Sequence, residues 1–413
     1  MALIVQKFGG TSVGDVERIR NVARRVVATV DAGNEVAVVV SAMAGETNAL
    51  VKLAREVAGG PPPPREYDVL VATGEQKTSA LLSMAIQALG RRARSFSGAQ
   101  IGMRTDASHT RARIESVDAA KIRSVLRDGV VAVIAGFQGI DEEGNITTLG
   151  RGASDTSAVA VAAALGADVC EINTDVEGVF TSDPNLVPAA RKLDRIAYDE
   201  MLEMASLGAK VLQRRSVLFA KRFGIPIHVR SSFSEAEGTW VLAEENVMER
   251  LVVSGVTYDR NEAKVRVRGV KDQPGVAAAV FELLAQADIV VDMIVQNLGH
   301  DGTTDMTFTV PLGDYERALE ITRGCISKIG AEAIDGDDTI AKVSIVGLGM
   351  KDHAGVAARM FRVLAQEGIN IQMISTSEIK TSVVVDEKYT DLAVRALHAA
   401  FVESGASEPV PES

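Results

Sequence analysis

Cysteine is nearly absent from the chain: Cys170 and Cys325 stand far apart and are accompanied by only five histidines. That argues against a disulfide framework or a zinc site, and both cysteines are expected as small buried apolar residues. Aromatic residues are scarce, at 4% with a single tryptophan, leaving few platforms for stacking nucleic-acid bases. Cations are in deficit, with 44 Lys and Arg against 55 Asp and Glu and a net charge of -11. Neither nucleic acid nor an anionic membrane is therefore expected as a partner. No run approaches the roughly eighteen apolar residues of a membrane span, and the N-terminus enters a strand with no secretory pattern, so a cytoplasmic location is expected.

What is present is ordinary globular composition, 46% hydrophobic and 24% charged over 413 residues, enough for two or three domains. The organising stretch lies at the start. A short apolar strand at residues 2–5 runs into Lys7-Phe8-Gly9-Gly10-Thr11-Ser12. Asp15 then caps a helix whose apolar residues Ile19, Val22, Val26 and Val30 recur every three or four positions. Strand, lysine, paired glycines, hydroxyls and a helix start suit a phosphate. The Walker order differs, because it places lysine after the glycines.

From residue 1 to about 245 strands alternate with helices. Further small or polar loops follow strands or precede helices: 41–48, the stretch Thr73-Gly74-Glu75-Gln76 read as opening a helix, 136–139, 150–156 and 174–185. Parallel sheets gather such loops at the carboxyl ends of their strands, so one phosphate-handling cleft is expected. Residues 141–145 read as a hairpin turn, and the Gly-Pro run at 59–64 as a surface connection.

The C-terminal part repeats itself. Lys271, Asp272, Gly275, Val276, Ala277, Phe281 and Leu284 recur in order at Lys351, Asp352, Gly355, Val356, Ala357, Phe361 and Leu364, and Met293 and Ile294 at Met373 and Ile374. Each unit reads strand, loop, helix, strand, strand, helix and a last strand, of the split βαβ type. Neither is large enough to bury much surface alone, so the two are expected to pair, within or between chains.

The motifs together resemble the aspartate kinases: Lys7-Phe8-Gly9-Gly10-Thr11-Ser12, Thr73-Gly74-Glu75, Gly150-Arg151-Gly152-Ala153-Ser154-Asp155-Thr156, Thr174-Asp175-Val176 and Ser375-Thr376-Ser377-Glu378. The resemblance covers essentially the whole chain. It implies an α/β amino-acid-kinase sandwich with a largely parallel central sheet over 1–245, a linker or strand at 246–262, and two α+β, ferredoxin-like ACT domains at 263–340 and 341–413 with a short flexible tail. The activity implied is ATP-dependent phosphorylation of the L-aspartate side chain, the entry to lysine, threonine and methionine synthesis.

By the same resemblance Lys7 and Asp155 are catalytic, and Ser41, Thr47, Glu75, Arg151 and Ser154 bind aspartate. Lys7, Gly9, Gly10, Ser12, Thr174, Asp175, Phe180, Asp183, Asn185 and Lys210 bind ATP, with Mg2+ carried mainly on the ATP phosphates. For the effectors, lysine and/or threonine, the matching positions are Asp272, Gly275, Ala277, Asp292, Gln296, Asn370 and Ile371 for one effector, and His353, Val356, Ala357 and Ser377 for the same or another. A homo-oligomer formed through the ACT domains is implied, and a separate regulatory chain could start at Met248. Ala153, Asn173, Phe180 and Asn185 depart from the family's usual residues near the nucleotide. Rival readings are a kinase of the same fold acting on glutamate or acetylglutamate, and a catalytically weak amino-acid sensor. Glu75 and Asp155 are both expected near helix starts, where the dipole favours an acid.

Overall fold

The computed structural model describes residues 1–150, 152–209, 211–246, 252–298, 302–353 and 355–403; Arg151, Lys210 and Met248 lie outside them. The chain forms two compact units, one of Met1–Phe180, Lys192–Ala205 and Lys210–Glu249, the other of Thr181–Arg191, Ser206–Ala209 and Arg250–Ser413.

The first unit is built on an eight-stranded sheet in the order Arg195–Ala197, Thr239–Leu242, Ile227–Ser231, Val169–Thr174, Leu3–Phe8, Glu35–Val40, Val131–Ala135, Ala93–Phe96. Every neighbouring pair is parallel except Ile227–Ser231 with Thr239–Leu242. Helices Val16–Asp31 and Pro64–Ala88 pack on one face, Ala119–Arg127 and Ser154–Leu165 on the other. Strand alternation sorts the side chains. Phe8, Val38, Val40 and Val133 enter the core under the first pair of helices, while Lys7 faces the helix that carries Asp155.

Asp15 caps its helix, accepting the Arg18 N–H at 2.8 Å. Asp15→Ala is expected to cost about 1 kcal/mol, measurable as a lower urea midpoint for the first unit. An unchanged midpoint would remove the cap from the helix's stability.

One sequence expectation is overturned here. Thr73-Gly74-Glu75 does not open a helix but lies in the middle of Pro64–Ala88. Proline at the first helical position is already set near the helical φ, so the Gly-Pro run ends in the helix start. Residues 141–145 do form the hairpin turn, between Gln138–Ile140 and Ile146–Thr148 of a small four-stranded sheet.

The second unit holds two four-stranded antiparallel sheets. The first repeat runs Ile294–Leu298, Thr303–Pro311, Glu262–Lys271, Ala333–Asp337; the second runs Gly255–Asp259, Ile340–Val346, Lys380–Asp386, Met373–Thr376. The first repeat thus supplies its own last strand. In the second, the strand Gly255–Asp259 from ahead of the first repeat takes that edge.

The repeats pair within the chain, and the pairing is reciprocal. Lys264 of the first reaches Gln372 of the second, and Lys342 of the second reaches Asp292 of the first. Met293 and Met373, equivalent in the repeat, share an apolar cluster with Ile340 and Val384. Lys342 is buried and also meets Glu262 at 2.5 Å; burial works against its charge, but the Glu262 and Asp292 carboxylates hold its pKa above the ordinary lysine value.

The Thr181–Arg191 excursion is fastened to the second repeat. Val256 N–H donates to the Thr181 carbonyl at 2.7 Å. His398, wholly buried, meets Thr181 Oγ1 through Nε2 and Glu403 through Nδ1, each at 2.9 Å. Among the described residues no helix is long and apolar enough to cross a membrane.

Candidate active site

The loops singled out in the sequence meet at the carboxyl ends of the parallel strands, stitched by their backbones. Gly9 N–H donates to Asn173 O at 3.2 Å, Ser41 N–H to Phe8 O at 3.1 Å, Gly136 N–H to Val40 O at 3.0 Å and Ser232 N–H to Thr174 O at 2.7 Å. Ser12 and Ser232 hydroxyls are 2.6 Å apart.

Lys7 is buried, with Nζ 2.5 Å from Asp155 Oδ1 in the first turn of Ser154–Leu165. That oxygen is held as an ion-pair partner and receives no aligned hydrogen bond. A Cβ placed on Gly9 would lie 3.5 Å from Lys7 Nζ and 3.9 Å from Ser12 Oγ, so cation, hydroxyl and bare backbone converge on one point. The expected cradle is narrower than its sequence suggested, because the Gly9 N–H is already taken by Asn173. Gly10 opens the short 3-10 turn Gly10–Val13, where first-turn N–H groups have no intrahelical acceptor.

Glu75 approaches the same region from the helix Pro64–Ala88. It is 4% exposed; Oε1 accepts the Ala42 N–H at 3.0 Å and Oε2 is buried without a partner. Burial pushes its carboxyl up to about 7, against the smaller opposing effect of the backbone hydrogen bonds. Ala42 is gripped from two sides: a Cβ on Gly10 would stand 2.9 Å from Ala42 O, and one on Gly74 2.9 Å from Ala42 Cβ. Three motifs far apart in sequence therefore touch at one alanine, and any side chain at either glycine forces that loop to move.

Of the other acceptor candidates, Ser154 is buried at its helix start beside Gly136, while Ser41 and Thr47, in the first turn of Glu46–Ala58, are part-exposed. Among the nucleotide candidates, Thr174 ends its strand and donates to Asp175 Oδ1 at 3.1 Å, and Phe180 bridges to Lys192. Asp183 and Asn185 fall in the second unit. There Asp183 accepts from the Asn185 N–H at 2.9 Å and from the Tyr258 hydroxyl at 3.1 Å. Cys170 and Cys325 are buried, and burial drives both thiols up.

In the repeats Gly275 and Gly355 precede the helices Val276–Gln286 and Val356–Gln366. Asp272, Gln296, His353, Asn370 and Ser377 are exposed, and Ala277, Val356, Ala357 and Ile371 half-buried. His353 Nδ1–H donates to Gly349 O at 2.7 Å. Asp292 is joined to the other repeat through Lys342.

Sequence reasoning passed over Asp68. It is 0% exposed in the second turn of Pro64–Ala88 and receives hydrogen bonds from Thr110, Thr148 and His109. A lone acid between Tyr67 and Val69 gives no sign of this.

An amino acid kinase family model matches residues 2–231, and an ACT domain model matches 265–322 and 343–401. The aspartate kinase of Pseudomonas fluorescens is 58% identical over 97% of this chain and 98% of its own. The solved structure of Escherichia coli aspartokinase III in complex with aspartate and ADP, its R-state, superposes with a TM-score of 0.83 at 28% identity, covering 96% of this chain and 99% of that one. The same enzyme in complex with lysine and aspartate, its T-state, gives 0.76 at 28% identity, covering 97% and 99%. With a kinase-family fold, a lysine–aspartate pair at the ends of its parallel strands and paired ACT repeats later in the sequence, the chain belongs to the aspartate kinases.

Proposed function

We propose that the first unit transfers the γ-phosphoryl group of ATP to the side-chain carboxylate of L-aspartate, with Lys7 as the principal charge at the transfer point. The observation that carries this reading is the buried Lys7–Asp155 pair, set beside the Gly9 backbone and Ser12. An aspartate side chain ordinarily titrates at about pH 4, so it is already ionised at neutral pH and needs no strong general base. A carboxylate oxygen forms the new bond to phosphorus as the bond to the bridging oxygen of ADP breaks. What the reaction needs is alignment of two anions and compensation of the charge spreading over the transferred group.

Lys7 supplies that compensation, and Asp155 fixes its ammonium. Glu75 takes the substrate ammonium, Arg151 its α-carboxylate by a bidentate fork, and Ser41, Thr47 and Ser154 complete the acceptor site. Gly10, Ser12, Thr174, Asp175, Phe180 and Lys210 take the nucleotide. Magnesium would arrive mainly on the nucleotide, where it would neutralise phosphate charge.

The ACT repeats sense lysine, threonine or both through the exposed loops ahead of their first helices and the strands facing them. An effector lowers activity only by its preference for the less active arrangement. We also take the enzyme as cytoplasmic and as a homo-oligomer assembled through these repeats.

Incubation with ATP, magnesium and L-aspartate, with hydroxylamine to trap the acyl phosphate, tests the reading. Hydroxamate is expected from aspartate and not from glutamate or acetylglutamate, and lysine with threonine is expected to suppress it. No hydroxamate from any acceptor would overturn the kinase reading.

A further inference from the structure

We propose that Asp68 is a positioning residue for the amino-acid acceptor: from the helix that carries Glu75 it fixes the segment leading into the helix start that carries Ser154 and Asp155. The inference rests on the aspartate kinase reading above, in which Glu75 holds one end of the acceptor and residues 151–155 meet the other.

Asp68 and Glu75 are seven residues apart on Pro64–Ala88, two turns along one face, a rise of about 10 Å. Both side chains are buried, but their surroundings differ. Glu75 keeps one oxygen unpartnered. Asp68 is saturated: Thr148 Oγ1–H donates to Oδ1 at 2.5 Å, Thr148 N–H to Oδ2 at 3.1 Å, Thr110 N–H to both oxygens at 3.1 and 3.0 Å, and His109 Nδ1 lies 2.8 Å from Oδ2. Only a carboxylate, with acceptor sites and no donors, matches so many convergent donors.

The donors come from the two segments that frame the acceptor loop. Thr148 ends the strand Ile146–Thr148, and the next residues, Leu149 and Gly150, lead into the turn before Ser154. The Thr148 carbonyl in turn receives the Ala112 N–H at 2.8 Å, and Arg215 holds both Ala112 O and Leu149 O, at 3.0 and 3.1 Å. Thr110 is held at a φ of 69°, a left-handed conformation that costs a threonine free energy and persists only where its surroundings over-determine it; its N–H bond to Asp68 is one such constraint. Further along the same helix, the carbonyl of Ala72 and the side chain of Gln76 bind Gln138, on the strand that pairs with Thr148.

The helix is thus a ruler. Glu75 touches the acceptor directly, and Asp68 sets where the 148–155 segment starts relative to Glu75. A small displacement of one substrate-binding element against another is costly to a reaction that depends on alignment.

Asp68→Asn, which turns an NH2 group toward the N–H donors, is expected to raise the aspartate KM about tenfold or more while the ATP KM stays within about twofold. Thr148→Val, a milder change that keeps the carboxylate, is expected to raise the aspartate KM about fivefold with the same split, and it decides the matter if Asp68→Asn fails to fold. An aspartate KM unchanged in the folded variants, or aspartate and ATP KM rising together as a general loosening would make them, overturns the proposal. Ser154→Ala and Arg151→Ala separate the two levels. If neither moves the aspartate KM, the acceptor assignment itself fails and takes this inference with it; if they move it and Thr148→Val does not, only the role of Asp68 falls.

Discussion

Replacing Lys7 by Met is expected to lower kcat for aspartyl hydroxamate formation on the order of 10³-fold, with the fold preserved. The lysine meets Asp155 at 2.5 Å and stands beside the Gly9 and Ser12 cradle, a buried place where a charge acts through little screening water. Phosphoryl transfer demands little covalent work from the protein, so loss of the fixed cation removes a large share of what the protein contributes. Removing the ammonium also leaves Asp155 buried without its ion-pair partner, which destabilises the apo protein, so circular dichroism and a thermal melt belong beside the assay. Lys7→Arg serves as the second variant. It keeps the charge and spares the fold, but a planar fork cannot reproduce a point contact between Asp155 and phosphate, so a fall of about tenfold or more is expected there too. A folded Lys7→Met protein with kcat within tenfold of the parent would remove Lys7 from the transfer point.

Much of this site was legible in the sequence because its signals are local. A strand, a lysine, two glycines and an Asp-capped helix occupy one continuous stretch, and the structure realises each of them. The internal repeat was equally plain, and so was its need for a partner, although only the structure shows that Lys264 and Lys342 make the pairing reciprocal within one chain. What escaped depends on residues distant in sequence. The helix Pro64–Ala88 buries Asp68, Glu75, Thr78, Ser79 and Ser83, and polar residues on buried positions blur the apolar period that marks a helix. The sequence pattern therefore starts this helix too late, at Thr73, and sets Glu75 beside a terminus that in the fold lies eleven residues earlier, at Pro64. The Gly9 N–H looked free for phosphate because the strand neighbour that claims it, Asn173, is far along the chain. The strand Gly255–Asp259 gave no sign that it completes the second repeat's sheet, because sheet pairing carries no local signature of its partner.

The corrected position of Glu75 changes its chemistry, and Glu75→Gln gives the second large effect. In mid-helix the carboxyl has no dipole to stabilise its charge, and burial pushes it up to about 7. An aspartate ammonium beside Oε2 restores the charged form, so below about pH 7 the free enzyme must release a proton as it binds substrate. The parent's aspartate KM is accordingly expected to rise toward about tenfold per pH unit as the medium is acidified from pH 7 to 6. The Gln variant keeps a hydrogen-bonding oxygen but no charge; its KM is expected about 10²-fold higher at pH 8 and flat across the same range. The stability of the apo protein moves the other way. The folded pKa lies above the unfolded value of 4.5, so this group's contribution is fully present below about pH 4.5 and is lost as pH rises through about 7, a change of about 3 kcal/mol. Glu75→Gln should therefore gain stability relative to the parent between pH 4.5 and 8 in urea titrations. A pH-independent aspartate KM in the parent, or a Gln variant whose KM stays within about twofold of it, would show that the substrate ammonium is held elsewhere. A flat stability difference across that range would show that the buried carboxyl is not strained by its charge.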